Sequence, residues 1–224
     1  MSTLETTFTA FYEGWFSRHL QLQQQLTTTT TTDNVNHEKQ LRKLVEQASQ
    51  HYSEYYQQKS TLIDEDVFLV CSPPWFTSFE QTLFWVTEFP PSLVFRLIKD
   101  LNLTPDQETK VESFKVDTAR KEAEIGEAMA MVQESLAAAP LYGLVNRAER
   151  LVDGEVSQLD DAMEEVKEAM RAVVAEADGL RVKVVKQVLE VLDVVQRVKL
   201  FAAVGQFRIR IRQVGLQMTP TQTL

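Results

Sequence analysis

Three histidines (His19, His37 and His51), one cysteine (Cys71) and the glutamates Glu164, Glu165 and Glu168 are the residues whose types could support metal or nucleophilic chemistry. Their spacing does not provide it. No histidine has a second His, Cys or carboxylate at an interval that wraps a zinc ion. The glutamates lack the Glu-x-x-His pairs that a di-iron carboxylate bundle uses. No two of the seven glycines form a phosphate-cradling pattern. His51 and Cys71 fall on one expected helix about 30 Å apart, so they meet only if that helix breaks. The sequence offers no catalytic residues, no cofactor-binding residues and no metal ligands, and the expectation is a protein that is not an enzyme.

Charge offers a different possibility. Arg197, Lys199, Arg208, Arg210 and Arg212 form a basic C-terminal patch that could meet phosphate or an acidic partner. Phe207, Ile209 and Ile211 alternate with the last three arginines in a strand-like way. A strand here would have no mate, so the segment is read as helical. Arginines two apart on a helix splay over a wide arc, which makes plain rim charges the competing reading. Further back, residues 151 to 178 hold nine acidic and two basic side chains, and residues 181 to 212 hold eight basic and two acidic ones. Such blocks are solvated faces, neighbouring helices of opposite sign, or a binding surface.

The elements that must position these residues are helices. Leu4, Phe8, Phe11, Trp15 and Leu22 recur on one helical face, widened by Tyr12 and Phe16. The threonines Thr27 to Thr32 predict a flexible loop over 27–34, because β-branched residues lose side-chain entropy in a helix. A second helical pattern runs from Val35 to about Val70, with Asp64, Glu65 and Asp66 as an interruption or a solvated edge, and stops at Pro73 and Pro74. The densest aromatic segment follows. Thr77 or Ser78 caps a short helix there, and Ser92 opens another through Leu101 beyond a Pro90-Pro91 corner. Thr104, Pro105 and Gln107 form a helix entry of the capping-box kind, running to about Ala139. Pro140 and Gly143 make the next corner.

The strongest periodicity follows. Val156, Leu159, Met163, Val166, Met170, Val173, Ala177, Leu180 and Val184 step by three and four without a miss. The seam fits a long helix packed inside its own bundle, with a parallel dimeric coiled coil as the alternative. A last helix reaches about Gln213, and the end of the chain frays. Met129, Met131, Met163 and Met170 read as core packing, with a small apolar ligand between helices as the sharper alternative.

Composition agrees with this picture. The 224 residues are 44% hydrophobic and 25% charged, with seven glycines and seven prolines, which suits long regular elements. A net charge of −9 argues against a whole-surface nucleic-acid binder. The lone cysteine excludes an intrachain disulfide and reads as a buried or half-buried thiol. No stretch approaches a membrane span and no basic-then-apolar leader opens the chain, so a cytoplasmic or nuclear location is expected. The fold expected is all-α, a single bundle over residues 5–218 with a disordered tail at 219–224.

The aromatic segment carries a resemblance. Trp75-Phe76-Thr77-Ser78-Phe79-Glu80-Gln81-Thr82-Leu83-Phe84-Trp85, followed by Phe89-Pro90-Pro91-Ser92, resembles the signature of the plant delay-of-germination domain: a Trp, an E-x-x-L/F-x-W core and a G-x-R-P-S corner. Phe11-Tyr12-Glu13-Gly14-Trp15 looks like that family's opening helix, and Glu176-Ala177-Asp178-Gly179-Leu180-Arg181 is similar to its E-A-D-x-L-R motif. The resemblance implies that Trp15, Trp75, Glu80, Leu83, Trp85 and Ser92 are the motif core. It implies a plant regulator, nuclear or cytoplasmic, acting in seed dormancy, maturation or abscisic acid responses by pairing with itself and with type 2C protein phosphatases. The domain is shared with leucine-zipper transcription factors that bind TGACG elements, so such factors are further candidate partners. Direct DNA contact is the alternative function. Two departures stand out. Pro90 replaces the corner arginine, with Thr87 and Glu88 in place of glycines. The stretch 207–213 lacks the histidines with which the founding member binds haem, so no cofactor is expected.

Overall fold

The protein is described by a computed structural model covering residues 2–29, 37–137, 141–145 and 153–218. Among these residues there are nine helices and no strand, so the all-α expectation holds. They are α1 (Thr3–Thr29), α2 (His37–Glu65), α3 (Val67–Cys71), α4 (Ser78–Thr82), α5 (Leu93–Leu97), α6 (Pro105–Ala137), α7 (Leu141–Val145), α8 (Asp153–Val191) and α9 (Val194–Met218).

Local chemistry sets most boundaries. The acidic interruption is a real break: Asp66 accepts from the Leu69 backbone N–H at 3.0 Å and starts α3. Thr77 and Glu80 form a reciprocal capping box at the start of α4, and Thr104 and Gln107 do the same for α6. Asp193 and Gln196 repeat the device at α9. The amide of Gln107 donates to the Val191 carbonyl at 2.9 Å and to Gln196 Oε1 at 2.8 Å, which ties the starts of α6 and α9 to the end of α8.

Several expectations need correction. Thr27 to Thr29 are helical rather than part of a loop. The hydroxyls of Thr27 and Thr28 donate back to the Gln23 and Gln24 carbonyls at 2.8 and 3.0 Å, which lets threonine continue a helix. The rest of that expected loop, Pro140 and the expected tail at 219–224 lie outside the described residues. Gly143 sits within α7 rather than at a corner. Helix α5 stops at Leu97, short of the expected Leu101, and α9 runs to Met218, past Gln213.

Packing forms three core clusters among the described residues, the smallest around Leu26, Leu41, Leu44, Ala48, Val198 and Phe201 of α1, α2 and α9. Helices α1, α2 and α9 pack on one another, and α6 lies along α8. Val111, Ile125 and Val132 of α6 meet Val166, Val173, Ala177, Val184 and Val188 of α8, with Val94, Phe95 and Ile98 at one end. The heptad seam is therefore covered from within the chain over most of its length, and only its first member, Val156, is exposed. Met129, Met163 and Met170 pack against this cluster, while Met131 is exposed. A second, aromatic cluster joins Phe8, Tyr12 and Trp15 to Tyr55, Trp75 and Phe76. The segment between α3 and α5 is wedged between the α6–α8 cluster and the aromatic one. No helix among the described residues is long and apolar enough to cross a membrane.

Since the seam is intramolecular, Val184→Ala should cost about 2 kcal/mol of stability through lost burial and a residual cavity. The molar mass measured by light scattering should stay unchanged; a change in mass on this substitution would contradict the packing described.

Candidate functional site

The residues singled out for their charge and those of the aromatic signature converge on one place. Residues 83–92 make a tight turn in which the Trp85 N–H donates to the Glu88 carbonyl at 2.6 Å and the Glu88 N–H to the Val86 carbonyl at 2.9 Å. Val86 and Thr87 hold φ values of 44° and 67°, the left-handed region that favours glycine. Arg181 of α8 stabilises the turn: its Nε donates to the Phe89 carbonyl at 2.9 Å, and its Nη2 reaches the Trp85, Val86 and Glu88 carbonyls. Its Nη1 holds Asp178 at 2.6 Å. The E-A-D-x-L-R motif is thus a clamp on this corner, with its Asp and Arg one helical turn apart.

Glu88 points inward and is 2% exposed. The Tyr55 hydroxyl donates to it at 2.5 Å, the Tyr56 hydroxyl at 3.3 Å and Arg208 Nη2 at 3.3 Å. Burial pushes its pKa up, but Arg208, Lys59, Arg181 and the Tyr55 hydroxyl outweigh that and hold it at about 2. Lys59, also buried, donates to Thr87 Oγ1 at 3.0 Å and to Asp178 at 2.9 Å. One turn beyond Arg208, Arg212 donates to the Trp75 carbonyl at 2.9 Å and approaches Glu80 at 3.5 Å. Glu80 itself accepts from the Thr77 N–H at 2.7 Å.

Both arginines lie against the faces of aromatic rings where they approach their carboxylates. Arg208 lies 5.5 Å from the ring of Trp15 and 5.6 Å from that of Tyr55. Arg212 lies 5.3 Å from Tyr12 and 4.9 Å from Phe16. Trp15 stacks on His51 at 4.4 Å between ring centres and donates its indole N–H to the His51 carbonyl at 2.9 Å. His19 stacks on the same indole at 5.1 Å, so two histidines that the sequence places on separate helices lie 5.4 Å apart. Their rings are nearly parallel, which stacks their faces rather than converging their nitrogens on one point. Among the described residues no group of three or more His, Cys, Asp or Glu could hold a metal ion. Cys71 is half-buried, and burial pushes its thiol up.

The expected basic patch is not one surface. Arg208 is 7% exposed and Arg212 is largely covered, both turned into the bundle. Arg197 donates its Nε to the Leu192 carbonyl at 2.9 Å, and only Lys199 and Arg210 stand in solvent. Buried carboxylates, absent from the rim-charge reading too, draw the arginines in. In the aromatic signature, Trp15, Trp75 and Glu80 are buried, Trp85 is half-buried under Arg181, and the Ser92 N–H donates to Glu122 at 2.7 Å. Leu83 is exposed at the C-cap of α4, where the chain turns away from the bundle. Lys59 and Glu88 were missed. Their sequence signal is weak: a lone lysine among apolar and aromatic helix positions, and a glutamate beside a Pro-Pro corner.

A family model described as "Seed dormancy control" (DOG1) matches residues 20–100. Among similar proteins, Protein RESPONSE TO ABA AND SALT 1 of Arabidopsis thaliana is 38% identical over 216 residues, covering 92% of this chain and 94% of the relative. Protein ZW2 of Arabidopsis thaliana is 34% identical over 217 residues, covering 94% and 96%. Transcription factor TGA1 of the same plant is 30% identical over 179 residues, which is 79% of this chain and 47% of that factor.

The stacked histidines give the fold an acid limit. Burial, together with Arg208 and His51, lowers His19 to about 3; burial, Arg18 and Arg208 lower His51 to about 4. Below an unfolded value near 6.5 the unfolded chain takes up protons that the folded one refuses, so stability falls as pH drops. The unfolding free energy should be flat between about pH 7 and 8 and fall by about 2 kcal/mol for His19 alone at pH 5. Urea titrations at pH 7.5 and 5.0 on the wild type and on His19→Phe check this. The variant should show a smaller difference between the two pH values, and an unchanged difference would assign the acid limit elsewhere.

Proposed function

This chain belongs to the seed dormancy control (DOG1) family, and on that premise we propose that it is a non-enzymatic plant regulatory protein that works by binding other proteins. The observation that carries this reading is the near full-length similarity to a protein whose name records a response to ABA and salt. We place its role in abscisic acid-linked control of dormancy or maturation, and its location in the nucleus, the cytoplasm or both. The partners proposed are type 2C protein phosphatases and a second copy of the chain. The family signature is spent on the internal clamp described above, so the faces left for partners are the charged outer sides of α6 and α8 and the exposed positions of α9.

The second reading is a transcription cofactor, supported by the match to half the length of Transcription factor TGA1. Such a cofactor would work beside a leucine-zipper factor or touch DNA directly. The exposed cations left for DNA on α9 are Lys199 and Arg210. A variant carrying Lys199→Ala and Arg210→Ala would weaken DNA binding without disturbing the core, whereas removing Arg208 or Arg212 would unfold the site itself.

Pull-down of type 2C phosphatases from plant extract, with light scattering on the purified chain, tests the leading reading. Retention of a phosphatase or a dimeric mass is expected. A strictly monomeric chain that retains no phosphatase, yet shifts a TGACG-containing duplex in a salt-dependent way, would favour the second reading.

A further inference from the structure

Helix α8 carries a second stripe on the side away from its buried seam. Asp161 and Glu164 stand at one end of it, Ala172, Ala175 and Gly179 in the middle, and Lys183 and Lys186 at the other end. All are exposed, so no other element among the described residues covers this face. At 1.5 Å per residue the stripe is about 38 Å long. Among the described residues Asp161, Lys183 and Lys186 have no ion-pair partner, and Glu164 is engaged by Lys167 and Arg171 of its own helix. Gly179 is unexplained by the fold. Glycine is the least favourable helix-interior residue after proline, yet a Cβ added at Gly179 meets nothing within 4 Å, and no glycine in the described residues has a positive φ. A glycine on an open helix face has a use where another chain comes close to it.

The order of charges selects the occupant. An acidic partner is repelled by the first half of the stripe and a basic partner by the second. The partner must present base, small residues and acid in reverse order over the same length, and this face run antiparallel does so. We propose that the outer face of α8 is a self-pairing surface, on which two copies of the chain meet antiparallel about a two-fold axis. With the axis level with residues 173 and 174, Asp161 faces the partner's Lys186, Glu164 the partner's Lys183 and Arg171 the partner's Glu176. Ala172 meets the partner's Ala175 at the closest approach, and Gly179 makes room for the stem of the partner's Glu168. A parallel pair sets Asp161 against the partner's Asp161 and Lys186 against the partner's Lys186. Small central residues between charged ends fit a reversible, salt-sensitive dimer rather than an obligate one. The inference rests on the reading that the chain pairs with itself, and adds the face and the direction.

Sedimentation equilibrium on the full chain tests this with two charge-reversed variants. One carries Asp161→Lys and Glu164→Lys, the other Lys183→Glu and Lys186→Glu; all four positions are exposed, so the core is left untouched. The wild type should form a dimer whose Kd rises about tenfold or more between about 50 mM and about 0.5 M salt. Each variant alone should be monomeric at concentrations where the wild type is dimeric, because both ends of its face repel, and an equimolar mixture of the two should form a heterodimer. Gly179→Leu, placed in open space, should raise the Kd about tenfold or more without lowering the denaturation midpoint of the dilute monomer. A mixture that stays monomeric, variants that dimerise as the wild type does, or a wild type monomeric at every concentration would overturn the proposal. Variants that still dimerise leave the second-copy reading standing on another face. Only a monomeric wild type removes the second copy from the partners, and phosphatase retention then decides the rest of that reading.

Discussion

Taking the Glu88 carboxylate out of water costs several kcal/mol, and the surrounding structure offsets that cost. Three elements far apart in sequence each supply a donor or a cation: the tyrosines and Lys59 of α2, Arg181 of α8 and Arg208 of α9. Each contact also fixes a backbone. The Glu88 turn can hold Val86 and Thr87 at positive φ because Arg181 takes up its carbonyls. Helix α9 cannot rotate without withdrawing Arg208 from Glu88 and Arg212 from Glu80 together, since the two arginines lie four residues apart on one face. The buried charges therefore specify how the aromatic body and the α6–α8 body meet, which apolar packing alone would leave less determined.

Much of this architecture was legible in the residues. The capping boxes at Thr77 and Thr104 and the break at Asp66 are local chemistry, and local chemistry is written in short spacings. The seam from Leu159 to Val184 followed from periodicity, because apolar spacing on a helix reports a buried face. The charged site was hidden for the converse reason. Periodicity counts arginine and lysine as polar, so Lys59, Arg208 and Arg212 scored as surface although each lies among rings. Their carboxylate partners are more than a hundred residues away in all three cases, and no spacing rule reaches that far. Thr27 to Thr29 misled for a smaller reason, since back-bonded hydroxyls remove part of the penalty that composition assigns to them.

The departures from the family corner also take on physical meaning. Where the signature has glycines, Thr87 adopts a left-handed conformation and gains a bond from Lys59, and Glu88 supplies the inward carboxylate. The arginine expected at the Pro90 position is not needed to hold the turn, because Arg181 reaches it from α8. This places the shared motifs in the interior as a scaffold.

The central claim is that Glu88 and Arg208 form a coupled buried pair that orients α9, and a double-mutant cycle in chemical denaturation measures it directly. Glu88→Gln and Arg208→Met should each cost about 3 to 5 kcal/mol, because each strands a buried partner. The double variant should cost clearly less than their sum. Single substitutions costing under about 1 kcal/mol and adding without coupling, as exposed ion pairs do, would contradict the account.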